Sequence, residues 1–164
     1  MGSSERDNIE YQQAVSELHN VASELAEMDS QDDICHRIID AAETLLDFDF
    51  SIVALEEGGR LCPKAVSSEL EPDEFDTMSI HDGVAGRSYR TGESYLIDNT
   101  REHEEADPRG PWMSAISLPV GEFGNFQAVN EDVGAFNEQD LQLAELLITH
   151  ASHHLSRIAN KEEL

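Results

Sequence analysis

The chain has 164 residues and a formal net charge of −25, from 35 acidic and 10 basic side chains. That length suits one domain with a sizeable core, and the charge disfavours direct binding to DNA or RNA, because phosphate contacts need clustered lysine and arginine. The acids are spread over every segment, so neither an acidic tail nor disorder accounts for them. We interpret this surface as that of a halophilic protein, whose self-repulsion is tolerated in concentrated salt.

Two helices are predicted at the start of the chain. The first runs from about Ile9 to Met28, where apolar residues repeat at alternating spacings of three and four, as in a heptad seam. Ser30 then caps a second helix, with Asp33 at the position where a capping box places its acid. The seam of the first helix consists of Tyr11, Ala14, Leu18, Val21, Leu25 and Met28, and the stripe of the second consists of Ile34, Ile38, Ala42 and Leu45.

A β-hairpin is predicted next. The segment from Phe50 to Leu55 is apolar on both faces, which predicts a central strand that is covered on both sides. Gly58 and Gly59 form the turn. The return strand, Arg60 to Val66, contains Pro63, which has no N–H to donate and therefore predicts a position at the sheet edge.

The run from Asp82 to Asn99, DGVAGRSYRTGESYLIDN, is the most informative in the chain. Gly83 and Gly86 open a short helix, Gly92 ends it, and Tyr95 to Ile97 follow as a strand. Glycine at a helix entrance removes side-chain bulk and bares backbone N–H groups, which suits the close approach of a small molecule or of another backbone. A long loop, 99–111, comes next, and loops of this length are usually functional or mobile.

The final helix is predicted to begin after Asn137 as its cap, with Asp140 three residues further on. Its seam repeats like that of the first helix, through Leu141, Ala144, Ile148, Ala151, Leu155 and Ile158. Because both ends of the domain carry a heptad seam, we predict a homodimer built from the two terminal helices. The predicted interface residues are Leu18, Val21, Leu25, Met28, Ile148, Leu155 and Ile158.

The cysteines and histidines do not form a recognisable site. Cys35 and Cys62 are far apart and fit neither a zinc spacing nor a C-x-x-C pair, so we interpret both as buried structural residues of a cytoplasmic protein. His150 and His154 are four residues apart on the last helix, but no third ligand is evident, and we predict that they are solvated. No run approaches the roughly 20 apolar residues of a membrane span. We predict neither a metal site nor catalytic residues.

Four segments together resemble the GAF domain family, whose members are small sensory modules related to PAS domains. They are the run from Asp82 to Asn99, the strand Ser114 to Val120 (SAISLPV), the hairpin Gly121 to Glu131 (GEFGNFQAVNE), and the helix entrance Ala135 to Asp140 (AFNEQD). The resemblance implies an α+β fold with an antiparallel sheet of five or six strands. The terminal and second helices would cover one face, and the Gly83 helix with the 99–111 loop would cover the other as a ligand pocket.

The resemblance also implies the domain limits and the role of the chain. The domain would span 14–158, between a linker at 1–13 that begins a signalling helix and a linker at 159–164. Within the family, the sequence resembles the GAF domains of haloarchaeal sensor histidine kinases and bacterio-opsin-activator-like regulators. This resemblance implies a sensory module that controls an output domain in the same polypeptide. A phosphoacceptor helix and an ATP-binding glycine box are missing from these 164 residues, so kinase activity is not expected of this chain itself.

The implied ligand is a small molecule of unknown identity, and no cofactor is named. Its expected contacts are Gly83, Val84, Arg87, Tyr95, Asp98, Met113 and Ser117. Arg87 and Arg90 are rare positive charges beside the Gly83 entrance, but pairing with acids such as Asp82 and Glu93 is favoured over an anionic ligand. Two rival functions stay open, namely a purely structural dimerisation module and a methionine-sulfoxide reductase of the same fold.

Two other GAF chemistries are disfavoured by particular residues. The motif of cyclic-nucleotide-binding members is half missing, because Glu131 and Leu141 stand where the family has its lysine and glutamate. Cys35 and His36 resemble the pair that carries bilin in phytochrome-like members, but they belong to the second helix rather than to the pocket.

Overall fold

A six-stranded antiparallel sheet forms the framework of the protein. The computed structural model describes residues 2–67, 72, 75–103 and 111–163, and within them the side chains of 10–67, 72, 75–103 and 111–161. The helices of this part of the chain are α1 (Gly2–Ala26), α2 (Gln31–Leu45), α3 (Gly83–Thr91) and α4 (Glu138–Glu163). The strands are β1 (Phe50–Glu57), β2 (Arg60–Val66), β3 (Met78–Ser79), β4 (Tyr95–Ile97), β5 (Ser114–Val120) and β6 (Gly124–Asn130).

The strand order is β3-β2-β1-β6-β5-β4, and every neighbouring pair is antiparallel. The predicted central position of β1 is confirmed, because β1 pairs with β2 on one side and with β6 on the other. The predicted fold class is also confirmed, with α1, α2 and α4 on one face of the sheet and α3 on the other.

The prediction that β2 lies at the sheet edge is wrong. The two residues of β3 pair with Arg60 and Leu61, so β2 is the second strand from the edge. Pro63 is tolerated because it lies opposite Ala54, where the ladder with β1 shifts register, and because the pairing with β3 ends before it. The extra residue of this bulge is Lys64, next to Pro63, and a locally disrupted ladder is where a residue without an N–H can be accommodated inside a sheet.

The helix-covered face holds the main hydrophobic core. Side chains from β1, β5 and β6, among them Val53, Leu118 and Phe126, are at most 1% exposed against α1, α2 and α4. The caps that the sequence predicts begin two of these helices. The N–H of Asp33 donates to Ser30 Oγ at 3.4 Å, and Asn137 and Asp140 exchange backbone-to-side-chain hydrogen bonds of 2.9 Å in both directions. Reciprocal bonds of this kind satisfy two N–H groups that a helix start leaves open.

Burial in this core contradicts the residues predicted for the dimer interface. Six of the seven predicted interface side chains are at most 4% exposed in the single chain, namely Leu18, Val21, Leu25, Ile148, Leu155 and Ile158. They pack against the sheet and against each other, so a partner copy cannot reach them. The heptad spacing is real, but the apolar surface it creates is used within one chain, because α1 packs against α2 and α4, and α4 packs against β5.

The domain limits predicted at 13–14 and 158–159 fall inside α1 and α4, which run through both positions. Within the part of the chain that the structure describes, no helix has both the length and the apolar character needed to cross a membrane.

Candidate ligand-binding site

A cavity of about 210 Å³ lies between α3 and the sheet, on the face opposite the main core. Its lining comes from the sheet and from a helix. Strands β1 and β6 supply the floor, and α3 supplies one wall. The described residues that line it are Phe50, Ile52, Phe75, Asp76, Met78, Gly83, Val84, Ala85, Ile97, Thr100, Trp112, Ala115, Gln127 and Val129. This is small for a ligand pocket, since drug-sized sites occupy roughly 300–1,000 Å³, so the cavity suits a compact molecule.

The two glycines at the entrance of α3 have different tasks. Gly83 has a φ of +65° and lines the cavity, and only glycine adopts this backbone conformation without strain. Gly86 lies one turn further on, where a Cβ atom would stand 2.6 Å from the carbonyl oxygen of Ile80. The glycine spacing therefore provides a cavity-facing wall at Gly83 and a backbone-to-backbone approach at Gly86.

Three aromatic rings form a continuous wall of the cavity. The ring centroids of Phe50 and Phe75 are 5.3 Å apart, and those of Phe50 and Trp112 are 5.9 Å apart with the planes nearly parallel at 14°. These separations are typical of interacting aromatic pairs. Phe50 reaches the wall because successive side chains of β1 alternate between the faces, which places Phe50 and Ile52 on the cavity side and Val53 in the main core.

The polar side chains of the lining are few. Gln127 lies on β6 directly opposite Ile52 of β1, so its amide shares the cavity face. The hydroxyl of Thr100 donates to the carbonyl oxygen of Trp112 at 2.9 Å, which ties the short helical turn at 100–102 to the aromatic wall. Asp76 supplies a carboxylate. No lysine, arginine or histidine is among the described residues of the lining.

Two of the seven predicted ligand contacts, Gly83 and Val84, line the cavity. Arg87 and Tyr95 are not among the described lining residues and instead contact each other. Arg87 Nε donates to Tyr95 Oη at 2.9 Å, and the guanidinium lies 6.0 Å from the ring centroid. Arg90 Nε donates to the carbonyl oxygen of Gly86 at 3.3 Å. Arg87 and Arg90 are both exposed, so the two arginines lie on the surface of α3.

The other three predicted contacts also lie outside the described lining, and each has a structural partner. The hydroxyl of Ser117, which is fully buried, accepts a hydrogen bond from Asn125 Nδ2 at 3.1 Å. The backbone of Met113 donates to Asn130 O at 2.8 Å, and the carbonyl of Asp98 accepts from Gly134 N at 2.8 Å. These residues hold strands and loops together around the site.

Sequence reasoning missed the aromatic wall, Asp76 and Gln127. One signal was available, because the first strand was recognised as apolar on both faces, and its second face is the one that Phe50 and Ile52 present to the cavity. Phe75 and Trp112 adjoin segments without a periodic pattern, which offer no register from which to assign a direction. The predicted loop at 99–111 falls largely on 104–110, outside the described residues.

No histidine or cysteine is among the described residues that line this cavity. His154 is 8% exposed, which contradicts its predicted solvation, and its Nδ1 lies 3.3 Å from Arg157 Nε as a hydrogen-bond acceptor. Burial, followed by the charges of Arg157 and the neighbouring histidines, lowers the pKa of His154. Burial raises the pKa of the Cys35 thiol to about 12, whereas Cys62 is half-buried. Among the described residues, no group of three or more candidate side chains could hold a metal ion.

The fold is shared with several solved structures. It is similar to the GAF domain of a phosphoenolpyruvate-protein phosphotransferase from Coxiella burnetii, with a TM-score of 0.81, 12% identity and coverage of 94% of this chain and 99% of that one. Part of a methyl-accepting chemotaxis protein is similar with a TM-score of 0.75, 15% identity and coverage of 88% and 99%. Free methionine-R-sulfoxide reductase from Neisseria meningitidis, solved with its substrate, is similar with a TM-score of 0.73, 16% identity and coverage of 88% and 93%.

A search by sequence among curated proteins finds no match. The family model described as "GAF domain" matches residues 29–156, which include α2, the whole sheet, α3 and most of α4. The chain therefore belongs to the GAF domain family.

Proposed function

We propose that this GAF domain is a cytoplasmic sensory module that binds a compact small molecule in the cavity between α3 and the sheet. The observation that carries the proposal is the cavity itself, because Gly83 at the entrance of α3 lines it and its wall contains three contiguous aromatic rings. Concave, mostly apolar sites with a few placed polar groups are the usual form of small-molecule sites.

The sheet supplies a physical route from the cavity to the terminal helices. On β5, Ala115 lines the cavity while the next residue, Ile116, is fully buried in the core beneath the helices. On β6, Gln127 and Phe126 have the same relation. A ligand that shifts these strands therefore moves the core beneath the helices, where α4 packs against β5 and α1 packs against α4 in turn. The proposed target of this movement is an output domain elsewhere in the same polypeptide. The whole protein would then be a sensor histidine kinase that acts in two-component-type signalling.

Thermal-shift screening against a metabolite extract tests the ligand-binding claim. Ala115 is 7% exposed and borders the cavity, so Ala115→Leu fills part of the void and should abolish a ligand-dependent shift while the domain stays folded. Ala26→Leu makes the same chemical change at an exposed position on α1 and should leave the shift intact. An extract that stabilises neither the parent chain nor the control would favour the purely structural module.

The second candidate function, sulfoxide reduction, is favoured only by the likeness in fold to free methionine-R-sulfoxide reductase. Two observations argue against it. Neither Cys35 nor Cys62 is among the described residues that line the cavity, and a thiol with a pKa near 12 is protonated at neutral pH, so Cys35 cannot supply a nucleophilic thiolate. Incubation with free methionine sulfoxide and a thiol reductant should yield no methionine, and turnover that depends on Cys62 would restore the enzyme hypothesis.

The proposed homodimer has to use surface other than the buried seam. Leu146, on α4, is 44% exposed although most apolar residues of that helix are buried, so it is the candidate anchor of an interface. Val133, in the loop before α4, is 54% exposed and provides the matched control. Light scattering in molar salt should give a dimer mass for the parent and for Val133→Glu and a monomer mass for Leu146→Glu. A monomer mass for the parent at high concentration would end the dimer proposal.

The proposed halophilic origin rests on the net charge of −25. Lowering the salt concentration from 1 M to 0.01 M lengthens the screening distance from about 3 Å to about 30 Å, so repulsion acts across the whole domain. Circular dichroism should therefore show loss of helical signal on dialysis into low salt. An unchanged spectrum would contradict the halophilic interpretation.

A further inference from the structure

The charges and rings around the cavity restrict the kind of molecule that it can hold. The only ionisable side chain among the described lining residues is the carboxylate of Asp76, and the domain as a whole carries −25. From the described part of the lining, an anionic ligand would gain no side-chain counter-charge in return for its lost hydration, which is costly in a mostly apolar site. A cation would instead be attracted both by the carboxylate and by the potential of the whole surface.

The aromatic wall adds a specific attraction for positive charge. The cavity gathers the single tryptophan of the chain and two of its six phenylalanines, although aromatic residues make up only 6% of the sequence. Ring faces carry a negative quadrupole, and they attract cations within about 6 Å of the centroid, tryptophan most strongly. Phe50, Phe75 and Trp112 are contiguous, so one positive group can lie against more than one of them.

The remaining lining distinguishes between kinds of cation. A primary ammonium carries three N–H donors that need acceptors once water is removed. Here Ile52, Val84, Ile97 and Val129 present hydrocarbon. The acceptors among the described lining side chains are few, namely the Thr100 hydroxyl oxygen, the Gln127 amide oxygen and the Asp76 carboxylate. A quaternary ammonium has no N–H donors, and its methyl groups pack favourably on both aliphatic and aromatic surface.

We infer that the cavity selects a compact organic cation with a methylated ammonium group, held against Phe50, Phe75 and Trp112 with its charge facing Asp76. This inference rests on the proposed ligand-sensing function and specifies the class of ligand. The cavity volume of about 210 Å³ agrees with a molecule of this size.

Trp112 provides a direct readout, because it is the only tryptophan in the chain and it lines the cavity. The full 164-residue chain is titrated at constant ionic strength with choline, with its uncharged isostere 3,3-dimethylbutan-1-ol and with the anionic isostere 3,3-dimethylbutanoate, and the fluorescence of Trp112 is recorded. Choline should change the fluorescence saturably and bind about tenfold more tightly than the alcohol. The carboxylate should bind more weakly than either.

Two variants separate the charge contribution from the ring contribution. Asp76→Asn should weaken choline binding about threefold to tenfold and leave the alcohol unaffected. Phe75→Leu keeps apolar surface and removes one ring, so it should weaken choline more than the alcohol. Glu122→Gln is the matched control, because this exposed carboxylate lies in the β5–β6 turn, at the end of β6 away from Val129, and it should change neither affinity. Circular dichroism verifies that each variant is folded.

The outcomes separate this inference from the proposed function. Equal binding of choline and the alcohol, or preferred binding of the carboxylate, would overturn the cationic ligand class and leave sensing intact. If none of the three probes affects Trp112 while a metabolite extract still gives a thermal shift, the inference fails alone. If the extract also gives no shift, the inference and the sensing function fail together.

Discussion

The two faces of the central sheet are built from alternating residues of the same strands, but they are packed very differently. On the helix-covered face, Val53 and Phe126 are fully buried in a core that continues into α1, α2 and α4. On the other face, their neighbours Ile52 and Gln127 remain half-buried beside a cavity of about 210 Å³. The only buried apolar cluster described there is small and consists of Val84, Ile97 and Ala115.

This difference places a close-packed face and a face with a cavity on a single layer of strands. Close-packed cores respond to the loss of even one methylene group, so residues such as Phe126 are constrained by packing. A face that leaves space beneath α3 gives up part of that dispersion energy and leaves room for the proposed ligand. The comparison predicts that equal substitutions on the two faces have unequal effects.

The largest expected difference is between Phe126→Ala and Phe50→Ala. Phe126 is fully buried, and its truncation should lower the free energy of unfolding by about 3–5 kcal/mol, because a cavity remains in a rigid core. Phe50 already borders a void, so its truncation should cost about 1–2 kcal/mol. Denaturant unfolding at fixed salt measures both values. Equal losses would mean that the cavity face contributes to stability as much as the core does.

A smaller loss is expected at the frame of the cavity. Gly86→Ala places a Cβ 2.6 Å from the carbonyl oxygen of Ile80 and should cost about 1–3 kcal/mol, since backbone has to move. Gly92→Ala tests backbone strain alone, because Gly92 has a φ of +74° and nothing lies within 4 Å of the added Cβ atom. This substitution should lower the free energy of unfolding by about 1–2 kcal/mol. Only Gly86→Ala should also impair ligand binding, because it displaces α3 from the site. Ligand affinity that survives in Gly86→Ala would argue against α3 as a cavity wall.

On the helix side, the buried His154 should make stability depend on pH. Its pKa in the folded state is lowered by burial and by Arg157, so below the ordinary histidine pKa of about 6.5 the unfolded state binds more protons than the folded state. Stability should therefore be complete above pH 6.5 and fall as the pH drops from there towards the lowered folded-state pKa. His154→Gln should flatten this dependence, whereas His153→Gln, at an exposed position, should retain most of it. Identical pH profiles for the two variants would contradict the assignment.

The smallest expected effect is chemical rather than energetic. Cys35 is fully buried and its pKa is raised to about 12, so it should resist alkylation in the native protein. Cys62 is half-buried and should react slowly. Mass spectrometry after iodoacetamide treatment should find one added group in native protein and two after unfolding. Rapid native labelling of Cys35 would show that α2 opens away from the sheet.

Local patterns were sufficient to predict most of the fold. The limits of β2, β4 and β5 were predicted as observed, because alternation and turn residues act over a few neighbours. The caps at Ser30 and Asn137 form as expected, since capping bonds span only three residues. The two-residue β3 was missed, and with it the position of β2, because such a short strand has no periodicity and exists only through its pairing with Arg60 and Leu61.

The candidate site was only partly accessible to the same reasoning. Gly83 and Val84 do line the cavity, and the glycine was recognisable because a glycine at a helix entrance has a local meaning. Arg87 and Tyr95 were assigned to the site by proximity in sequence, but they pair with each other instead. The heptad seam likewise showed that α1 and α4 each have one apolar face. It did not show whether that face meets a partner copy or the chain's own sheet, because periodicity fixes which residues share a face and not what covers them.

The sequence by itself determined the family, the periodic elements, the acidic surface and the glycine-built entrance of α3, since each is a property of neighbouring residues or of composition. Only the tertiary structure decided that Phe50, Phe75 and Trp112 form one wall and that His154 is buried. It also decided that the apolar seams of α1 and α4 are buried in the core of a single chain. These features join residues that are distant along the chain, and their contacts depend on how the sheet and helices pack rather than on any local preference.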